Sequence, residues 1–123
     1  MKILFIGKFQ PPHLGHVLTI NLLRKKYSHI DIGITAGKPR LLSQNKVSKI
    51  FNLVFFNDKN IKVKVLFGAV DEGTVEIEDK YDYIISGNKS ILKKLKAKGH
   101  KVKYQERFKG YLFSGSKLRL IMK

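Results

Sequence analysis

The chain has 123 residues, with 25 Lys and Arg against 9 Asp and Glu and a formal charge of +16; that length suits one domain, residues 1–123. A composition of 43% hydrophobic and 11% aromatic residues can build a packed core, which excludes a disordered chain. With no cysteine, a disulfide scaffold, a cysteine-ligated zinc finger and thiol catalysis are excluded. The apolar start at Ile3–Ile6 is too short for a signal segment or a membrane span, so a cytoplasmic protein without membrane contact is expected.

Lys2–Ile6 is a short apolar run closed by Gly7, the pattern of a buried parallel strand. From Gly15 to about Tyr27 the spacing predicts a helix with Val17, Leu18, Ile20, Leu22 and Leu23 inward. Ile30–Thr35 alternates as a second strand. Ser43 can cap a helix whose Val47, Ile50, Phe51, Val54 and Phe55 form one apolar stripe. Ile61–Phe67 reads as a half-buried third strand and Tyr83–Ser86 as a fourth. Asn88 can cap a helix carrying Ile91, Leu92 and Leu95 inward and ending at Gly99. Val102–Tyr104 is a fifth short strand and Ser114–Met122 a closing helix. This order predicts an α/β fold: a single Rossmann-like domain with an open five-stranded parallel sheet, helices on both faces and right-handed crossovers. In such sheets ligands lie beyond the carboxyl ends of the strands.

The charge alone does not select a partner. Of the basic residues 21 are Lys and 4 are Arg, whereas Arg is the residue that makes bidentate contacts to phosphates and bases. Nucleic acid is therefore not the expected main partner, and attraction of a small polyphosphate explains the excess equally well. The sign reverses in one place, where Asp71, Glu72, Glu76, Glu78 and Asp79 follow one another without a base. That segment is either a solvated acidic loop or a contact for a cationic part of a ligand.

Directly after the first strand stands Gly7-Lys8-Phe9-Gln10-Pro11-Pro12-His13-Leu14-Gly15-His16. Gly7 permits a tight turn, the prolines stiffen the loop, and Gly15 lets the backbone approach a ligand where the helix starts. His13 and His16 lie three apart at a helix N-terminus and can face one point. There the helix dipole and its unpaired N–H groups favour an anion. Imidazoles donate hydrogen bonds to such an anion without burying a permanent charge. A metal pair is the alternative reading, but no neighbouring Cys, Asp or Glu completes a ligand set, so no metal ligand is assigned.

This loop, Gly-x-Phe-x-Pro-x-His-x-Gly-His, resembles the signature of the His-x-Gly-His, or cytidylyltransferase-like, nucleotidyltransferase superfamily. The resemblance implies that His13 and His16 bind a nucleoside triphosphate and stabilise attack at its α-phosphate. It also places Gly7, Phe9, Gln10 and Gly15 in the nucleotide-binding loop and Lys8 among the catalytic residues. Near the other end, Phe113-Ser114-Gly115-Ser116-Lys117-Leu118-Arg119 resembles the second signature of that superfamily. Read physically, Ser114 can cap the last helix, Gly115 and Ser116 expose backbone N–H groups, and Arg119 sits about one turn in. The resemblance implies that this helix holds the β- and γ-phosphates.

A closer resemblance, to archaeal-type nicotinamide-mononucleotide adenylyltransferases, rests on Tyr81-Asp82-Tyr83-Ile84-Ile85-Ser86-Gly87-Asn88 and on Gly99-His100-Lys101-Val102. It makes Gly87 and Asn88 candidates for the nucleoside pocket, alongside their reading as a turn with a helix cap. Lys8 and Lys46 stand where that group usually carries Arg, which keeps the charge and loses the bidentate fork. The Trp of that group's nicotinamide pocket is missing, and the stretch 69–80 is short and acidic. The activity implied is transfer of AMP from ATP to a phosphomonoester such as nicotinamide mononucleotide, with release of pyrophosphate and with Mg2+ on the triphosphate. The alternatives are CTP-dependent cytidylyl transfer to an alcohol or sugar phosphate, a basic nucleic-acid-binding module, and a nucleotide sensor without catalysis. Each is compatible with a homo-oligomer.

Overall fold

The computed structural model describes residues 1–37 and 41–106. The predicted closing helix, and with it Ser114, Gly115, Ser116 and Arg119, lies outside the described residues. In chain order the elements are β1 (Lys2–Gly7), α1 (Leu14–Lys26), β2 (His29–Ile34), α2 (Gln44–Val54), β3 (Ile61–Val65), β4 (Tyr83–Ser86), α3 (Lys89–Ala97) and β5 (Val102–Tyr104). The five strands form one sheet in the order β3-β2-β1-β4-β5, and every neighbouring pair is parallel. This is the expected Rossmann-like sheet, with helices on both faces.

The continuous apolar run of β1 follows from its central position. Hydrogen-bonded to β2 on one side and β4 on the other, it buries Ile3, Leu4, Phe5 and Ile6 almost completely. Alternate side chains point to opposite faces. Ile3 and Phe5, with Ile30, Ile32 and Ile34 of β2, meet Ile20 and Leu23 of α1 and Val47 and Phe51 of α2. On the other face Leu4, Ile6 and Ile84 meet Ile91 and Leu95 of α3.

Three expectations are refined. Leu18 and Leu22 are only partly buried, whereas Thr19 is buried, its hydroxyl donating to the Gly15 carbonyl at 2.8 Å. In α2, Val47 and Phe51 are buried while Ile50 and Val54 lie at the margin of the stripe. The third strand ends at Val65 rather than Phe67: at the edge of the sheet, beside β2 alone, Val65 and Phe67 are both exposed.

Between β3 and β4 the chain runs from Leu66 to Asp82 without a helix. Val70 is buried in the second core, and Leu66, Val75, Ile77 and Tyr81 pack against it. This irregular connection is fastened from beneath by a polar cluster. Asp31, 2% exposed in the middle of β2, accepts a hydrogen bond from the Tyr81 hydroxyl at 2.6 Å and lies 3.1 Å from the Lys64 ammonium. Asp79 pairs with Lys64 and lies 3.7 Å from Lys2. Burial, reinforced by the bond to Asp31, raises the Tyr81 pKa and keeps the hydroxyl a donor. No helix among the described residues is long and apolar enough to cross a membrane.

Candidate active site

In the order β3-β2-β1-β4-β5 the direction of winding reverses between β1 and β4, and a crevice opens beyond their carboxyl ends. It is a hollow of about 290 Å³, lined by the loop from Gly7 to Pro11, by His13 and His16, and by Ser86, Gly87 and Asn88. Residues from both halves of the sequence reading therefore meet there. Of the predicted set, Gly7, Lys8, Phe9, Gln10, His13, His16, Gly87 and Asn88 border the hollow, and Gly15 is buried in the first turn of α1. Lys46 does not border it: it lies exposed on the first turn of α2.

The two imidazoles are stacked, with ring centroids 3.8 Å apart and planes 19° from parallel. His16 is 4% exposed, and the Phe9 ring stands perpendicular to it, with centroids 4.9 Å apart and planes at 89°. The backbone N–H of His13, the residue that caps α1, donates to Nδ1 of His16 at 3.1 Å. An Nδ1 that accepts leaves the proton of a neutral ring on Nε2, so this bond assigns the tautomer and makes Nε2 a donor. The first-turn N–H groups of α1 add their partial positive charge at the same place. The arrangement favours an anion such as a phosphate oxygen.

Phe9 and Gln10, which border the hollow, also hold the loop in place through contacts within the protein. Phe9 adopts a left-handed backbone, φ +52°, which a residue other than glycine rarely does. That turn sends its ring down into the core, 5% exposed, against Phe5 and Phe51. Gly7 is needed for this ring rather than for an unusual φ: a Cβ on Gly7 would approach the ring to 3.1 Å. Gln10 turns its amide to the chain between β2 and α2. Its oxygen accepts from the N–H groups of Leu41 and Leu42 at 2.8 and 2.7 Å, and its nitrogen donates to the Leu42 carbonyl at 2.7 Å.

On the β4 side, Asn88 caps α3, its Oδ1 accepting from Ser90 and Ile91 N–H at 2.9 and 3.3 Å. Ser86 is buried, and its hydroxyl accepts from the Asn88 N–H at 3.1 Å. Ser86, the last residue of β4 and not among the predicted site residues, thus borders the crevice as well. The acidic segment has a fixed partner: Lys8 donates to Asp71 at 2.7 Å, and Lys94 of α3 lies 3.5 Å from the other oxygen. The Lys8 hydrogen bond, opposed by partial desolvation and aided by the charges of Lys8 and Lys94, holds the Asp71 carboxyl below its ordinary pKa. Glu72, Glu76 and Glu78 are exposed. Among the described residues no group of three or more His, Cys, Asp or Glu converges on a point that could hold a metal ion.

No family model matches the chain. It is 27% identical to the nicotinamide-nucleotide adenylyltransferase of Sulfurisphaera tokodaii, over 99% of this chain and 79% of that protein. With nicotinamide-nucleotide adenylyltransferase 1 of Sulfolobus acidocaldarius it shares 28% identity, over 99% of this chain and 78% of the relative. Among solved structures it is similar to a bifunctional NMN adenylyltransferase/ADP ribose pyrophosphatase from Francisella tularensis complexed with AMP and an Mn ion. The TM-score there is 0.62 and the identity 13%, covering 89% of this chain and 38% of that one. The NadR protein in complex with NR is similar too, with a TM-score of 0.58 and 18% identity, covering 85% of this chain and 36% of that one. This chain thus spans little more than a third of either solved protein, and those likenesses concern the fold. In sequence, along nearly its whole length, the chain is similar to archaeal nicotinamide-nucleotide adenylyltransferases, and its Rossmann-like fold is similar to that of the two solved proteins.

Proposed function

We propose that this protein is an adenylyltransferase, one domain acting in the cytoplasm, that transfers AMP from ATP to nicotinamide mononucleotide. The observation that carries the reading is the stacked His13–His16 pair, oriented by the His13 N–H at the N-terminus of α1 in the β1/β4 crevice. A phosphate oxygen of the mononucleotide attacks the α-phosphorus in line; the bond from that phosphorus to the α/β bridging oxygen breaks, and pyrophosphate leaves with the electron pair. The attacking oxygen is already anionic and needs no general base, so catalysis is positioning plus stabilisation of charge.

In this reading Nε2–H of His16 donates to a non-bridging α-oxygen and His13 to the bridging oxygen. Lys8 and Lys46 neutralise the phosphates, and Gly87 with Asn88 borders the nucleoside. Ser114, Gly115, Ser116 and Arg119 hold the β/γ end. Phe9, Gln10, Gly7 and Gly15 shape the loop around the nucleotide. Magnesium would arrive on the triphosphate and would spread its charge, without a ligand set from the described residues. The relatives' names favour ATP over CTP.

The test is pyrophosphate release from ATP and from CTP, each against nicotinamide mononucleotide, an alcohol phosphate and a sugar phosphate. We expect turnover with ATP and nicotinamide mononucleotide, and a kcat for His16→Ala lowered by roughly 10²–10³-fold. No pyrophosphate from that pair, or a His16→Ala enzyme within a few-fold of wild type, overturns the reading.

A further inference from the structure

The loop that carries Asp71 is built to hold it still. Gly68 and Gly73 have φ of +85° and +71°, both in the left-handed region, and a Cβ on Gly68 would fall 2.1 Å from the Thr74 carbonyl oxygen. Between them the turn closes on itself: Gly73 N–H donates to the Val70 carbonyl and Thr74 N–H to the Ala69 carbonyl, each at 3.0 Å. The Thr74 hydroxyl accepts from Ala69 N–H, also at 3.0 Å. Two lysines grip the tip, Lys94 of α3 at the Asp71 carboxylate and Lys98, the residue that ends that helix, at the Gly73 carbonyl, 2.6 Å away. The other Asp71 oxygen accepts from Lys8, at the border of the histidine crevice.

A carboxylate oxygen on a lysine offers the same charge-assisted bond as a phosphate oxygen. The side chains of Lys8 and Asp71 are 23% and 46% exposed, and a pair so open to water exchanges readily for a stronger anion. We propose that Asp71 is an internal competitor for substrate phosphate at Lys8: its carboxylate occupies the lysine until a multiply charged phosphate displaces it, and so sets how tightly the site holds that substrate. The proposal rests on the reading of Lys8 as a phosphate contact. It gives the acidic segment a part in substrate binding, exerted through Lys8 rather than on a cationic ring.

Asp71→Asn keeps the shape of the side chain and removes its charge. Titrating inorganic triphosphate calorimetrically at low salt, we expect Asp71→Asn to bind about three- to tenfold more tightly than wild type. The gain should shrink as salt screens the pair. Asp71→Glu should bind as wild type does. The double variant Lys8→Ala/Asp71→Asn should gain nothing over Lys8→Ala, because the competition is for Lys8. If Asp71→Asn binds triphosphate no more tightly than wild type while melting at the same temperature, the proposal is overturned. An equal gain in the Lys8→Ala background overturns it as well. The titration reads anion binding alone, so failure of pyrophosphate release from ATP and nicotinamide mononucleotide strikes the transferase reading separately.

Discussion

Gln10, on the border of the crevice, commits its amide oxygen and one amide N–H to the chain's own backbone. Two bonds to its oxygen and one from its nitrogen stitch the loop after β1 to Leu41 and Leu42. The next residue, Ser43, caps α2. Gln10 thereby fixes where α2 begins and where the loop approaches it. Gln10→Ala should lower stability by about 1–3 kcal/mol, the cost of leaving partly buried backbone groups without their partner. Amide exchange at Leu41 and Leu42 should accelerate at least tenfold, and Gln10→Glu, which keeps the acceptor, should restore much of that protection. Unchanged exchange at both amides in Gln10→Ala would show that the stitch holds nothing. The comparison also marks what a motif can carry. His13 and His16 were legible because a three-residue spacing at a helix start fixes their common direction. The directions of Phe9 and Gln10 depend on a left-handed φ and on partners 31 and 32 residues away. No local pattern encodes either.

At the scale of elements, hydrophobic periodicity revealed the strands and helices because each buries one face or one stripe. It faltered where a neighbour was missing, as at the end of β3, and where a hydroxyl could satisfy itself within the helix, as at Thr19. The connection from β3 to β4 has no period at all. A crossover in this fold ordinarily supplies a helix to cover the sheet; here a non-helical chain does so, held by tertiary contacts that join residues distant in sequence. Asp31 is the centre of that fastening, a buried carboxylate that lies 3.1 Å from the Lys64 ammonium and 3.8 Å from that of Lys2 and whose oxygen accepts a hydrogen bond from the Tyr81 hydroxyl. Such a group costs more when one partner is removed than it gains when complete. Tyr81→Phe should therefore destabilise the protein by about 1.5–3 kcal/mol in chemical denaturation, with the largest loss of exchange protection in the segment 66–82. Equal stability of Tyr81→Phe and wild type would mean that the apolar contacts of Val70, Val75 and Ile77 hold the segment without the cluster.

For the whole molecule, four of the nine acids, Asp31, Asp58, Asp71 and Asp79, are placed within ion-pair distance of a lysine or arginine. The formal surplus of +16 attracts anions at long range and repels other copies of the chain. The same placement fixes how stability follows pH. The Lys8 bond lowers the pKa of Asp71 and the Lys64 bond that of Asp79. At Asp58 burial works against ionisation, but the Asn60 N–H and the Arg24 guanidinium outweigh it and the pKa is lowered. A carboxyl whose pKa falls on folding stabilises the native state above its unfolded value, about 3.9, and that stability is lost as pH drops through the folded value. Lys64 has the opposite sign. Its bond to Asp79 raises its pKa, against a smaller desolvation effect, so its contribution is complete below the unfolded value of about 10.4 and disappears as pH rises through the folded one. Urea unfolding should accordingly give a plateau from roughly pH 5 to pH 9, a steep fall below about pH 4, and a shallower one beyond about pH 10.5. Protonating the carboxylates at low pH also enlarges a positive charge that nothing then balances, so added salt should soften the acid limb more than it alters the plateau. An acid limb as steep in high salt as in low salt would place the loss of stability in buried contacts rather than in these half-exposed pairs.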